Sequence, residues 1–150
     1  MKMDKIVKLK SALSNYPTGV VCVFSKTNEG YNAIIVNSFA SVSLNPPIVL
    51  WSLDKKSSKF NVFKNSKSHI IVILCNNQKK FAKQIAFHQE KVSDFEFNKI
   101  LKTSICSISC STLKKIKFGD HFTFFLSIKK ISVIKKLKPL VYYKKKFMTI

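Results

Sequence analysis

The sequence predicts a mainly β chain, folded as a mostly antiparallel barrel with a few short helices beside it. Three observations predict this. Short β-rich runs recur along the 150 residues, separated by turn signals. Helical patterns are too few to alternate with the strands as βαβ units. Hydrophobic residues make up 46%, including 13 Phe, which is enough to fill a core and argues against a charge-rich disordered chain. The length suits one domain spanning residues 1–150.

The elements follow in order. Asp4 to Leu13 reads as a helix, because Ile6, Leu9 and Leu13 fall at helical spacing among lysines, and Pro17 ends it. Thr18 to Ser25 is a β-rich run. Asn28-Glu29-Gly30 signals a turn, and Tyr31 to Val36 resumes as a strand. Asn37 to Pro47 is polar and serine-rich and reads as a loop. Ile48 to Leu53 is a strand carrying the only tryptophan, Trp51. Lys56 to Phe63 reads as a short helix, with Ser57 or Ser58 placed to cap it. Ile70 to Cys75 is a strand of the buried type. Asn77 to Phe87 is a helix with Phe81/Ile85 and Ala82/Ala86 pairs at i,i+4. Ser104 to Leu113 reads as a strand, His121 to Ile134 as a long strand or a hairpin, and Leu140 to Tyr143 as a short last strand. No internal repeat or interdomain linker interrupts the series.

The formal net charge is +20, from 27 basic against 7 acidic residues, and every basic residue is lysine. Lysines release counterions from phosphates, so a nucleic-acid role is one reading. The lysines are spread along the whole chain, and arginine, the residue suited to bidentate base and phosphate recognition, is missing. Abundant Lys, Ile, Asn and Phe together fit codon drift toward A+T. No apolar run approaches the roughly 20 residues a membrane-spanning helix needs. The first residues, Met-Lys-Met-Asp-Lys, precede no signal-peptide core, so a soluble, cytoplasmic protein is expected.

Cys22, Cys75, Cys106 and Cys110 include no C-x-x-C pair. On a strand, Cys106 and Cys110 would lie about 13 Å apart, at roughly 3.3 Å per residue, too far to share a metal. All four read as small buried hydrophobes, with no disulfide. His69, His88 and His121 are not spaced as a metal cluster. With only Gly19, Gly30 and Gly119, neither a G-x-G-x-x-G fingerprint nor a P-loop can be written.

Six of the seven Gly and Pro residues lie in segments that carry a resemblance. These are Tyr-Pro-Thr-Gly-Val-Val (Tyr16 to Val21), Asn-Ser-Phe-Ala-Ser-Val-Ser-Leu-Asn-Pro-Pro (Asn37 to Pro47), Gly-Asp-His (Gly119 to His121) and Lys-Pro-Leu-Val-Tyr-Tyr (Lys138 to Tyr143). In content, order and spacing the chain resembles the flavin reductase family, FMN-binding split-barrel proteins that include the reductase components of two-component monooxygenases. The eleven-residue Asn37–Pro47 segment is the most specific match. The resemblance implies an antiparallel Greek-key split β-barrel that binds FMN or FAD and takes hydride from NADH or NADPH. It also implies a homodimer and a flavin-dependent monooxygenase as acceptor of reduced flavin.

Flavin chemistry resides in the cofactor, so the protein must bind it, orient it and admit a nicotinamide. A serine-rich loop offers hydroxyl and N–H groups to the ring edge and side chain of a flavin. Asn37, Ser38, Ser41, Val42 and Ser43 are the candidates there. Lys55, Ser57, Ser58 and Lys59 follow the next strand and suit a phosphate, as lysines beside a helix N-terminus. By resemblance His121 sits near the reacting rings. Tyr142 and Tyr143 alternate across a strand, so one faces the core and the other a cleft; Tyr143 is taken as the flavin contact. The chain departs from the family where Ile35 replaces a usual threonine, Val72 a common asparagine, and Ser127 and Lys145 common glycines. The leading reading is an NAD(P)H:flavin oxidoreductase. The alternatives are a flavin-binding protein of this fold with little turnover, and a basic nucleic-acid-binding barrel.

Overall fold

The computed structural model describes residues 2–88 and 91–150. Helix α1 (Lys2–Ser14) precedes β1 (Thr18–Gly19), β2 (Val21–Thr27), β3 (Gly30–Val36), β4 (Ala40–Leu44) and β5 (Pro47–Asp54). Helix α2 (Phe60–Asn65) follows, then β6 (Ser68–Ile73), a 3-10 turn at Asn76–Gln78, α3 (Lys79–His88) and α4 (Asp94–Thr103). Last come β7 (Cys106–Phe118), β8 (His121–Ile131), β9 (Leu140–Tyr143) and β10 (Lys146–Thr149). Seven strands form one antiparallel sheet in the order β3-β2-β6-β7-β8-β5-β4, and β1-β9-β10 form a small second sheet. The expected mainly β barrel is therefore present.

Strand β2 explains how the layers are arranged. Five consecutive residues from Val21 are buried, because both faces of the strand are covered. Val21 and Val23 join Trp51, Leu53, Phe63, Ile71, Phe124 and Leu126 in the barrel interior. Cys22 and Phe24 point the other way, into a second core with Leu74, Phe81, Ile85, Phe97 and Leu140 beneath α3 and α4. In the interior the Trp51 indole N–H donates to His69 Nδ1 at 3.0 Å, giving the buried ring nitrogen a partner. All four cysteines are buried and unpaired, as their apolar flanks suggest.

The ends of the main sheet, β3 and β4, do not pair with each other, and side chains bridge the split. Ser38 Oγ bonds the backbone of Ser52 twice, and the Lys59 ammonium donates to the Ala33 carbonyl. Gly30 begins β3 at φ +121°, where an added Cβ would meet the Val92 carbonyl oxygen at 2.4 Å. That close approach lets Tyr31 and Val92 exchange two 2.8 Å backbone bonds.

Several elements differ from the sequence expectation. The 37–47 segment is not all loop: it contains β4, with a cis Asn45–Pro46 peptide in the turn to β5. Helix α2 begins only at Phe60, and Lys59, not a serine, holds the cap position without a side-chain capping bond. Helix α4 lies in a stretch assigned no element. Its signal is Ser93-x-x-Glu96, and Ser93 Oγ accepts from the Glu96 N–H at 3.1 Å. Strand β10 was also unassigned. It is reached through Lys144 and Lys145 at φ 47° and 60°, a left-handed pair that in a two-residue turn usually falls to Gly or Asn. No helix among the described residues is long and apolar enough to cross a membrane.

Candidate functional site

The site is built on the strand ends of β5 and β8. Asp54 stands opposite His121 and Ser52 opposite Thr123 in the ladder, and the Ser52 and Thr123 hydroxyls lie 2.8 Å apart. The two-residue hairpin between β7 and β8 holds Gly119 at φ +56°, so the position favours glycine. Its second residue, Asp120, accepts the Lys55 N–H at 2.9 Å through its carbonyl. The Asp120 carboxylate lies 2.7 Å from His121 Nδ1, and that hydrogen bond holds the carboxyl below its ordinary value. Asp54 accepts the N–H groups of Lys56 and Ser57, shaping the turn after β5.

Strand β4 lies at the sheet edge along the other half of β5, pairing with Pro47 to Leu50 rather than with the Asp54–His121 end. It pairs with β5 through a bulge between Ser41 and Ser43, with Val42 the inserted residue. Because β4 is the outermost strand, its second edge of backbone N–H and C=O groups has no neighbouring strand. Ser38 locks the entry to β4: its hydroxyl donates to Ser52 O at 2.8 Å and accepts from Ser52 N at 2.9 Å. Its hydroxyl proton is therefore committed to the fold, and Ser38 acts mainly by positioning β4.

The structure places Lys55, Ser57 and His121 around the Asp54 end of β5, Ser38 on Ser52 two residues along the strand, and Ser41, Val42 and Ser43 along its other half, opposite Ile48 and Val49. Asn37 is exposed and lines a cavity of about 640 Å³ shared with Ile35, Val36 and Tyr142. Ser58 is exposed in the turn before α2. Lys59 departs from its expected role as an open phosphate clamp. It is 8% exposed, its ammonium is held on Ala33 O, and burial lowers its pKa, opposed by the nearby Cys22 thiol. The other half of that expectation, a helix N-terminus capped by serine, is absent as well. Tyr143 sits on β9 with the Lys144 ammonium 5.3 Å from its ring centre. Its neighbour Tyr142 turns into the cavity and packs against Phe147, with ring centres 5.6 Å apart.

Ser52, Asp54 and Thr123 were not nominated from the sequence. Ser52 and Thr123 are hydroxyl residues flanked by apolar neighbours, a visible signal, but only the β5–β8 register shows that they meet. The cysteines add no nucleophile. Burial raises the Cys22 and Cys106 thiols and pushes Cys110 up to about 11. No group of His, Cys, Asp and Glu among the described residues is placed to hold a metal ion.

Comparison with known proteins identifies the family. A family model described as a flavin reductase like domain matches residues 13–150. An FMN reductase (NADH) of Agrobacterium fabrum is 30% identical over 118 residues, covering 75% of this chain and 68% of that protein. A flavin reductase of Pseudomonas putida is 27% identical over 143 residues, covering 90% and 84%. Among solved structures, the NADH:FAD oxidoreductase SgcE6 of Streptomyces globisporus superposes with a TM-score of 0.86 at 21% identity, over 98% of this chain and 94% of that one. The flavin reductase PheA2 superposes at 0.81 with 23% identity, over 95% and 96%. Matched over nearly its whole length by the family model and sharing the fold of these neighbours, the chain belongs to the flavin reductase-like domain family.

Proposed function

We propose that the protein is an NAD(P)H-dependent flavin reductase that binds FMN or FAD and supplies reduced flavin to a partner monooxygenase. The observation that carries this is the family match over residues 13–150, with the bulged edge strand Ala40–Leu44 entered through the Ser38–Ser52 pair. The residues fit a flavin. Ser41 and Ser43 offer hydroxyls, and the unpaired edge of β4 offers backbone donors and acceptors to a polar ring edge. Bound flavin supplies the ring that accepts hydride from reduced nicotinamide. Hydride transfer asks for alignment of two rings and needs no acid or base, so these residues act by holding position. Lys55 contributes a cation near the Asp120–His121 pair, and the net charge of +20 draws in anionic nucleotides.

The reductase is further proposed to work as a homodimer. Met3, Ile6, Val7 and Leu13 on α1 are each more than half exposed, and no residue of α1 is buried. Leu44 at the end of β4 is 90% exposed. A second copy covering these faces would remove apolar surface from water. Titration of the purified protein with FMN and with FAD, followed by flavin fluorescence, tests the binding claim. Saturable quenching is expected, and no change with either flavin would overturn it. Sedimentation equilibrium at twice the chain mass is the expected result for the dimer.

A further inference from the structure

A second cavity, of about 600 Å³, lies between α3, α4 and the segment that joins β8 to β9. It shares no lining residue with the cavity beside Asn37. Lys80 and Phe81 line it from α3, Lys99, Ile100 and Lys102 from α4, and Leu137 from the connecting segment. Hydrogen bonds fix its walls. The buried Gln78 side chain accepts from the Cys75 N–H at 3.0 Å and donates to the Ile100 carbonyl at 3.1 Å and the Thr103 hydroxyl at 3.0 Å, tying the start of α3 to the end of α4. The Lys135 ammonium donates to the Leu101 and Lys102 carbonyls and holds the connecting segment on the last turn of α4.

The other three lysines of the lining are not spent in this way. Among the described residues, the Lys80, Lys99 and Lys102 ammonium groups have no ion pair and no side-chain hydrogen bond. Glu96 is the one carboxylate in the lining, and it pairs with none of them. Like charges around one hollow repel each other, and a single carboxylate does not balance them, so an anion placed there is favoured. Phe81, Ile100 and Leu137 give the same hollow an apolar side. A small hydrated ion leaves that side uncovered, whereas a ligand with a flat apolar body and one carboxylate uses both parts. We propose that the α3–α4 cavity binds an aromatic carboxylate, with the carboxylate among Lys80, Lys99 and Lys102 and the ring against Phe81, Ile100 and Leu137. This site is separate from the serine cluster and its ligand is neither flavin nor nicotinamide, so it stands or falls independently of the reductase reading.

Calorimetric titration of the purified protein with 2-naphthoate tests this, with 2-naphthamide and inorganic phosphate as comparison probes. The carboxylate should bind saturably and about tenfold or more tighter than either, because the amide lacks the charge and phosphate lacks the ring. Lys80→Glu and Lys99→Glu should each weaken 2-naphthoate by about tenfold or more. Lys83→Glu makes the same change of charge on α3 but at the other cavity, and should weaken it by less than about twofold. All three lysines are exposed, and thermal unfolding checks that each variant folds. No saturable binding, or equal affinity for the amide or for phosphate, would overturn the proposal from the unmodified protein alone. Unchanged affinity in folded Lys80→Glu and Lys99→Glu, or an equal loss in Lys83→Glu, would overturn the placement and the proposal with it.

Discussion

Ser38 and Ser52 are joined by two hydrogen bonds, one donated and one accepted by the same hydroxyl, at 2.8 and 2.9 Å. The pair reproduces with a side chain what a strand ladder would do with backbone, across the split where β3 gives way to β4. Ser38→Ala removes both bonds and leaves a partly buried N–H and C=O without partners. It should cost about 1–3 kcal/mol of stability, read as a lower urea midpoint, and also weaken flavin binding. Ser41→Ala, on the exposed edge, should weaken flavin binding with the urea midpoint unchanged. Equal midpoints for the two variants would contradict the positioning role of Ser38.

Lys55 and Lys59 separate in the structure although four positions apart in the chain. Lys59 is spent on the Ala33 carbonyl, whereas Lys55 lies at the turn facing Asp120. Lys55→Ala should therefore weaken flavin binding, and Lys59→Met should leave it unchanged in protein that still folds. Fluorescence titration of both variants decides it; a loss in Lys59→Met matching that of Lys55→Ala would restore Lys59 as a phosphate clamp.

His69 makes stability depend on acid. Burial lowers its pKa to about 4 from 6.5, with the Phe63 carbonyl opposing the shift. The unfolded chain then binds a proton before the native state does, so stability is lost as pH falls from 6.5 toward 4. The loss should reach roughly 3 kcal/mol. His69→Gln, which can still accept from Trp51, should flatten this part of the urea midpoint against pH. An unchanged slope would assign the acid sensitivity elsewhere.

Gly30 and Gly119 should respond differently to alanine. At Gly119 nothing lies within 4 Å of an added Cβ, so only the left-handed backbone is penalised, by about 1–2 kcal/mol. At Gly30 the Cβ would collide with the Val92 carbonyl and break the Tyr31–Val92 bridge as well. Thermal unfolding should rank Gly30→Ala as the more damaging; the reverse order would contradict the close approach.

What could be read from the sequence divides along physical lines. Strands such as Ile70 to Cys75 were legible because burial writes itself as unbroken apolar runs. Helix α1 was legible from Ile6, Leu9 and Leu13, though none of its residues is buried. Strand β4 was not, because an exposed edge strand of Ser, Val and Ser looks like a loop until β5 lies beside it. Strand β10 was hidden by a turn written in lysines rather than Asn-Gly. Most candidate site residues came from the motifs at Asn37–Ser43 and Gly119–His121. The site was hidden where it depends on register, as with Ser52 and Thr123, or on a long side chain's direction, as with Lys59. The charge of +20, diffuse in the sequence, resolves in part into four lysines around one cavity.

The most direct test is nicotinamide oxidation by the purified protein with FMN, FAD or no flavin, followed by loss of the reduced-nicotinamide absorbance. The account predicts oxidation of NADH or NADPH that depends on added or bound flavin and saturates with it. No flavin-dependent oxidation with either nucleotide, from protein shown to be folded, would contradict it.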